Sequence, residues 1–229
     1  LMEIKGDRGE DKWLPHCLGH EASGEVVACG PGAKKFKKGD KVILTWIKSC
    51  GNESSQIRFF NGKQIVNAGK ITTFSNFSIV SENRIVKKPK TLSMKEAVLF
   101  GCAIPTGFGM VVNQIKPKKS MKILVLGLGG IGISTLLALK CIGHKNVFVA
   151  DISKSKLDIA KKLGFKKLIS GNKKSMNKIV EKMYKGFFDI CIESAGSIET
   201  IELGFDAIKE NGGKLFFASH PPNNEYIKI

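Results

Sequence analysis

The sequence predicts an α/β fold, a doubly wound parallel sheet preceded by a β-rich domain that is only partial. Three observations predict it. An apolar stretch at residues 121–126 runs as a strand into Gly127-Leu128-Gly129-Gly130-Ile131-Gly132, which opens an amphipathic helix, and Val147-Phe148-Val149-Ala150-Asp151 follows as a second strand. From about Thr106 onward, strands near Lys122, Val147, Lys167, Phe188 and Lys214 alternate with helices near Ile131, Ser155, Ser175 and Ile198. That alternation builds a parallel sheet with crossover helices. The residues before it read as short strands punctuated by turns, an all-β pattern.

In the β-rich part, strands are expected at residues 22–29, 40–47 and 76–81. Gly30-Pro31-Gly32 and Lys38-Gly39-Asp40 supply turn chemistry between the first two. Phe59-Phe60-Asn61-Gly62 places a turn signal beside apolar residues and predicts a small hairpin. Thr91-Leu92-Ser93 ahead of Met94-Lys95-Glu96-Ala97 reads as a helix cap. The change of pattern divides the chain at 1–105 and 106–229. Both ends are abrupt: Tyr226-Ile227-Lys228-Ile229 reads as the start of another strand, and five strands stand where such a sheet commonly has six. A fragment lacking both termini is expected.

At 229 residues the chain can bury a sizeable core. It has no run of 18 apolar residues and no signal-peptide pattern, which predicts a cytoplasmic protein without a membrane partner. Cys17, Cys29, Cys50, Cys102, Cys141 and Cys191 are scattered, without the repeated short spacing of a disulfide framework, so reduced thiols are expected. The formal charge of +17 raises the question of nucleic acid, but the lysines recur as pairs along the whole chain, from Lys34-Lys35 to Lys173-Lys174. Spread in this way they read as solvated surface, and no nucleic-acid partner is expected.

The glycine run carries the most specific chemistry. Gly127 allows the tight turn, Gly129 lets backbone approach a pyrophosphate without an intervening Cβ, and Gly132 lets the helix pack on the strand. Asp151 lies nineteen positions beyond Gly132, where an acid can hydrogen-bond the adenosine ribose hydroxyls. Strand, helix, second strand and acid together predict a dinucleotide cradle. His20, in Gly19-His20-Glu21, is by itself more often structural than a ligand, and Cys102 by itself is a small buried hydrophobe.

Taken in order, Gly19-His20-Glu21, then Gly101-Cys102 with Thr106-Gly107-Phe108-Gly109, then the glycine run starting 25 residues after Cys102, resemble the zinc-dependent medium-chain alcohol dehydrogenase family over nearly the whole chain. The resemblance implies a GroES-like catalytic domain followed by a Rossmann domain. It implies Zn2+ at a catalytic site with His20 and Cys102 as ligands, in a set of two cysteines and one histidine, and Glu21 as the acid beside the metal. The first cysteine ligand would fall just upstream of Leu1. A structural zinc is not expected, since only Cys50 stands where four closely spaced cysteines would be.

The resemblance also implies NAD as cofactor, held by Gly127, Gly129, Gly130, Ile131, Gly132 and Asp151. Lys156 would reach the adenosine ribose, Thr106 would lie near the nicotinamide, and Ala195 and Gly196 would make backbone contacts. The implied reaction moves a hydride between an alcohol, or its carbonyl product, and NAD(H), in an enzyme that is a homo-oligomer at full length. The alternatives are a zinc-free quinone or enoyl reductase of the same fold and a non-catalytic dinucleotide-binding module.

Overall fold

The computed structural model describes all residues except 1, 7, 8, 12, 56, 172, 222–225 and 229. The chain forms two compact units, Glu10–Ala103 and Ile104–Ile229, the latter joined by Leu1–Gly9 with its short helix α1 (Met2–Lys5). The division falls between Ala103 and Ile104, two residues before the boundary read from the sequence.

In the β-rich unit, β1 (Ala22–Glu25) pairs antiparallel with β2 (Lys41–Leu44). The hairpin expected at Phe59-Phe60-Asn61-Gly62 forms from β3 (Ile57–Asn61) and β4 (Gln64–Gly69). Gly62 takes the first position of its two-residue turn at φ +61, a conformation open to glycine at little cost. The third strand on the main sheet is β5 (Ile85–Lys87), giving the order β1-β2-β5. Val42, Leu44, Ile71 and Ile85 form the core of this unit.

The strand expected at residues 76–81 does not form, although its polar and apolar residues alternate. Side chains compete there with the strand ladder for backbone carbonyls: Ser75 Oγ donates to the Phe77 carbonyl at 2.7 Å and Ser78 Oγ to the Thr72 carbonyl at 2.5 Å. Phe77 and Ile79 are left exposed, and the segment lines a cavity of about 590 Å³ together with β1 and residues of β2. The helix cap is as expected. Ser93 accepts from the Glu96 amide, while the Glu96 carboxylate accepts from the Ser93 amide, at the start of α2 (Met94–Ala97).

Carboxylates hold the loop around Cys50. Glu82 accepts backbone N–H bonds from Asn52 at 2.8 Å, Lys34 at 3.0 Å and Lys35 at 3.1 Å, and these lower its pKa, the Asn52 bond most. Glu53 accepts from Arg84 Nη2 at 2.7 Å and Lys48 Nζ at 2.6 Å, which takes its pKa from 4.5 to about 2. A depressed folded-state pKa means that stabilisation is complete above the unfolded value and is lost as pH falls toward the folded one. The Lys34, Lys35 and Asn52 amide NMR signals, which report on the Glu82 carboxylate, are therefore expected to hold above pH 4.5 and to move only as pH falls below it. A transition centred above 4.5 contradicts this.

The second unit begins with α3 (Ala103–Gly109), followed by a π-helical turn, Met110–Ile115, that ends at Lys116 with φ +46. The elements β6 (Ile123–Leu126), α4 (Gly130–Cys141), β7 (Val147–Asp151), α5 (Lys154–Lys162), β8 (Lys167–Ser170), α6 (Lys173–Tyr184), β9 (Ile190–Glu193), α7 (Ile198–Ala207) and β10 (Lys214–Phe217) then alternate as expected. All five strands are parallel in the order β10-β9-β6-β7-β8. The chain builds outward from β6 to β8 and then returns to place β9 on the other flank of β6. The point where the order reverses lies between β6 and β9, the crevice in which such sheets bind ligands.

Strand residues of alternate parity feed two cores on opposite faces of the sheet, one around Ile123, Val125 and Val149, the other around Leu124, Phe148 and Phe188. Strands buried on both faces explain the continuous apolar runs. The helix α4 is not amphipathic as expected. Gly132, Ser134, Thr135, Leu136, Ala138 and Leu139 are all buried, because α3 covers α4 as well. A Cβ at Gly107 would lie 2.3 Å from the Ile131 carbonyl oxygen and 2.7 Å from Ser134 Cβ. Residues 226–228 form no strand, and Ile229 lies outside the described residues. Among the described residues no single helix is long and apolar enough to cross a membrane.

Candidate functional site

In the second unit the predicted glycines meet at the C-terminal ends of the strands. Gly127 has φ +87, and a Cβ on it would lie 2.7 Å from the Ala195 backbone nitrogen. A Cβ on Gly132 would lie 2.0 Å from the Gly127 carbonyl oxygen. Both positions are closed to any larger residue. Gly129 differs: φ is −76, nothing lies within 4 Å of its would-be Cβ, and it is exposed beside Gly130. It is also the N-cap residue of the twelve-residue α4, whose N-terminus has no side-chain cap. Unsatisfied N–H groups and the helix dipole make such a terminus suited to an anion. Half-buried Ile131 follows as the next residue of α4.

Asp151 ends β7 and is 5% exposed. Its Oδ2 accepts from the Leu128 amide at 2.6 Å and its Oδ1 from the Ser153 amide at 2.7 Å. A carboxylate offers about four lone-pair positions, so about two remain for further donors such as ribose hydroxyls. Exposed Lys156 brings Nζ to 3.9 Å from Asp151 Oδ2. The cradle and the acid therefore fit a dinucleotide in shape and in hydrogen-bonding chemistry.

Ala195 and Gly196 lie on the loop after β9, with Ala195 exposed and Gly196 at φ +86. Both of their amides donate to Glu193 Oε1 at 2.8 Å. Sequence reasoning missed Glu193. Its signal was present: an acid closing the apolar run Ile190-Cys191-Ile192, beside Ser194-Ala195-Gly196. Such a position is buried at the end of a central strand and needs donors around it. Thr106 is half-buried within α3, which starts three residues earlier, at Ala103.

In the β-rich unit Gly19 has φ +88, and a Cβ on it would lie 2.5 Å from Thr73 Oγ1. It delivers exposed His20 and half-buried Glu21 to the start of β1. Glu21 Oε1 accepts from the Ala103 amide at 2.7 Å across 82 positions of sequence. A Cβ on Gly101 would lie 2.5 Å from the Leu44 carbonyl oxygen and 3.2 Å from Glu21 Cα. The Gly-His-Glu and Gly-Cys motifs thus meet through Glu21, with half-buried Cys102 between the two residues that touch it. Among the described residues no three His, Cys, Asp or Glu side chains form a group able to hold a metal ion. The described donors do not by themselves fit a three-ligand zinc site.

Comparison with known proteins agrees with this geometry. The family model of the alcohol dehydrogenase GroES-like domain matches residues 2–90, and that of the zinc-binding dehydrogenase domain matches residues 130–228. The chain is similar to benzyl alcohol dehydrogenase from Acinetobacter calcoaceticus (27% identity, TM-score 0.81), covering 99% of this chain and 68% of that one. It is also similar to an alcohol dehydrogenase zinc-binding domain protein from Burkholderia ambifaria (25% identity, TM-score 0.75), covering 94% and 65%. It shares the fold of zinc dependent alcohol dehydrogenase 2 from Streptococcus pneumonia in its apo form (21% identity, TM-score 0.79), covering 100% and 66%. The chain spans about two thirds of the length of these proteins. With the glycine cradle, the buried acid at the end of β7 and both domain matches in their order along the sequence, the chain belongs to the medium-chain alcohol dehydrogenase family.

Proposed function

We propose that the protein is an NAD(H)-dependent oxidoreductase that moves a hydride between a small alcohol and its carbonyl product. The observation that carries this reading is the pairing of an open Gly129, at the uncapped start of α4, with a buried Asp151 that keeps lone pairs in reserve. Bound NAD supplies the hydride acceptor. Gly129, Gly130 and Ile131 would hold its pyrophosphate on the helix N-terminus, and Gly127 and Gly132 keep the turn tight enough to do so. Asp151 would accept from the adenosine ribose and repel the additional phosphate of NADP, with Lys156 at the rim. Ala195 and Gly196 have their amides engaged by Glu193, so they would offer carbonyl and Cα surface. Thr106 is assigned a place beside the nicotinamide.

His20 and Cys102 are proposed as two zinc ligands with Glu21 beside them, the third ligand coming from polypeptide outside these residues. The described residues do not by themselves complete that site. The same incompleteness favours, as a second reading, a zinc-free reductase of the family or a dinucleotide-binding module. The protein is proposed to work in the cytoplasm, as a homo-oligomer when full length.

Fluorescence titration with NADH and NADPH, a zinc assay, and turnover with panels of alcohols and quinones test these readings. The expected result is NADH bound at least tenfold tighter than NADPH, less than one zinc per 229-residue chain, and alcohol oxidation by the full-length protein. Failure to bind NADH removes the reading altogether. Quinone reduction unaffected by chelation, in place of alcohol oxidation, selects the second.

A further inference from the structure

Glu193 is a fully buried carboxylate at the C-terminal end of β9, beside the crevice where the strand order reverses. Oε1 accepts from the Ala195 amide at 2.8 Å, the Gly196 amide at 2.8 Å and Thr200 Oγ1 at 2.7 Å. Oε2 accepts from Ser219 Oγ, just beyond β10. One side chain therefore gathers the loop after β9, the first turn of α7 and the segment after β10. Removing this acceptor takes from the Ala195 and Gly196 amides the partner they share, while Thr200 Oγ1 keeps the Ser197 carbonyl at 2.9 Å, so the loop loses its anchor more than α7 does.

The loop so gathered forms one wall of the crevice, and the glycine turn after β6 forms the other. Ser194 joins the two walls: its amide donates to the Leu126 carbonyl at 2.8 Å and its hydroxyl to the Gly127 carbonyl at 2.9 Å. The Ala195 backbone occupies the space that a Cβ on Gly127 would need, 2.7 Å away. The position of residues 194–197 relative to the turn is thus set by hydrogen bonds that converge on Glu193 and Ser194.

A dinucleotide crossing these strand ends has a direction. Its adenosine ribose belongs at Asp151 on β7 and its pyrophosphate at Gly129 after β6, so the remaining half passes over β9. We propose that Glu193 is a positioning residue for the nicotinamide half of the dinucleotide. It holds residues 194–197 as the wall against which that half rests, and it leaves the adenosine half to Asp151 and the glycine turn. The inference rests on the dinucleotide reading above and adds a division of labour within that site.

Binding of NADH and of AMP separates the two halves, since AMP has no nicotinamide. With Glu193→Ala, NADH affinity is expected to fall at least tenfold while AMP affinity stays within about twofold of wild type. Glu193→Gln can still accept at its oxygen and donate its amide to Ser219, so it is expected to bind NADH within about threefold of wild type. Ser219→Ala removes one of the four donors and leaves Oε1 with its three. It keeps the test open if Glu193→Ala does not fold, with NADH weakened about threefold and AMP unchanged. Equal losses for AMP and NADH in a folded variant, or no loss for NADH in any variant, overturn the positioning role. A wild-type protein that binds neither ligand overturns the dinucleotide reading instead.

Discussion

Replacing Gly132 with alanine is expected to unfold or severely loosen the second unit, while the same change at Gly129, three positions earlier, leaves its stability near wild type. The new methyl at Gly132 would stand 2.0 Å from the Gly127 carbonyl oxygen and 3.0 Å from its carbonyl carbon. Both atoms belong to a turn fixed on the sheet by the Gly127 amide, which donates to the Ala150 carbonyl at 2.9 Å. A clash against backbone cannot be relieved by a rotamer change, so a cost of roughly 3 kcal/mol or more is expected, at the upper end for overpacking. At Gly129 the methyl enters open space with φ −76, so the fold accepts it. The space it fills is the approach to the helix N-terminus, and NADH affinity is expected to drop by at least about tenfold, the loss of one close backbone approach. Thermal unfolding and NADH titration of the two variants check this. A stable Gly132→Ala protein would contradict the packing, and unimpaired NADH binding by Gly129→Ala would show that no pyrophosphate passes there.

Asp151 carries the second large effect, because it combines a structural and a recognition role. Asp151→Ala leaves the Leu128 and Ser153 amides without their acceptor at a site only 5% exposed. The expected destabilisation is about 2 kcal/mol, the penalty of stranding buried donors. Asp151→Asn retains one acceptor oxygen but turns an NH2 group toward one of the two amides and removes the negative charge. Its preference for NAD over NADP is therefore expected to narrow at least about tenfold, as ribose acceptance weakens and repulsion of the extra phosphate disappears. Dissociation constants for NADH and NADPH measured on both variants give the outcome directly. An unchanged NADH to NADPH ratio in Asp151→Asn would remove this residue from cofactor selection.

The sequence was legible where local pattern and final environment agree. The parallel strands are short apolar runs bounded by glycine and polar turns, and burial on both faces leaves such runs one environment to occupy. The hairpin and the Ser93 cap were legible because a two-residue turn and a capping box are closed within a few residues. Where a segment's environment is supplied from afar, the pattern misled. Residues 76–81 alternate as a strand should, yet Ser75 binds the Phe77 carbonyl, Ser78 binds that of Thr72 just before the segment, and Phe77 and Ile79 face outward. The helix α4 looked one-sided because the contact with Gly107 on α3 cannot be read from α4 itself.

By itself, then, the sequence determined the order of elements, the double-wound sheet, the glycine turn and the acid at the tip of β7, because each is encoded by residues close together along the chain. Tertiary structure alone decided what those residues touch. It set Glu21 against the Ala103 amide, 82 positions away, linking the motifs of His20 and Cys102. It also turned Glu193, unremarked among its apolar neighbours, into the acceptor of four donors from three elements beside the crevice. The physical reason is the same in both cases. A carboxylate taken out of water must find donors, and which donors reach it depends on how distant segments pack.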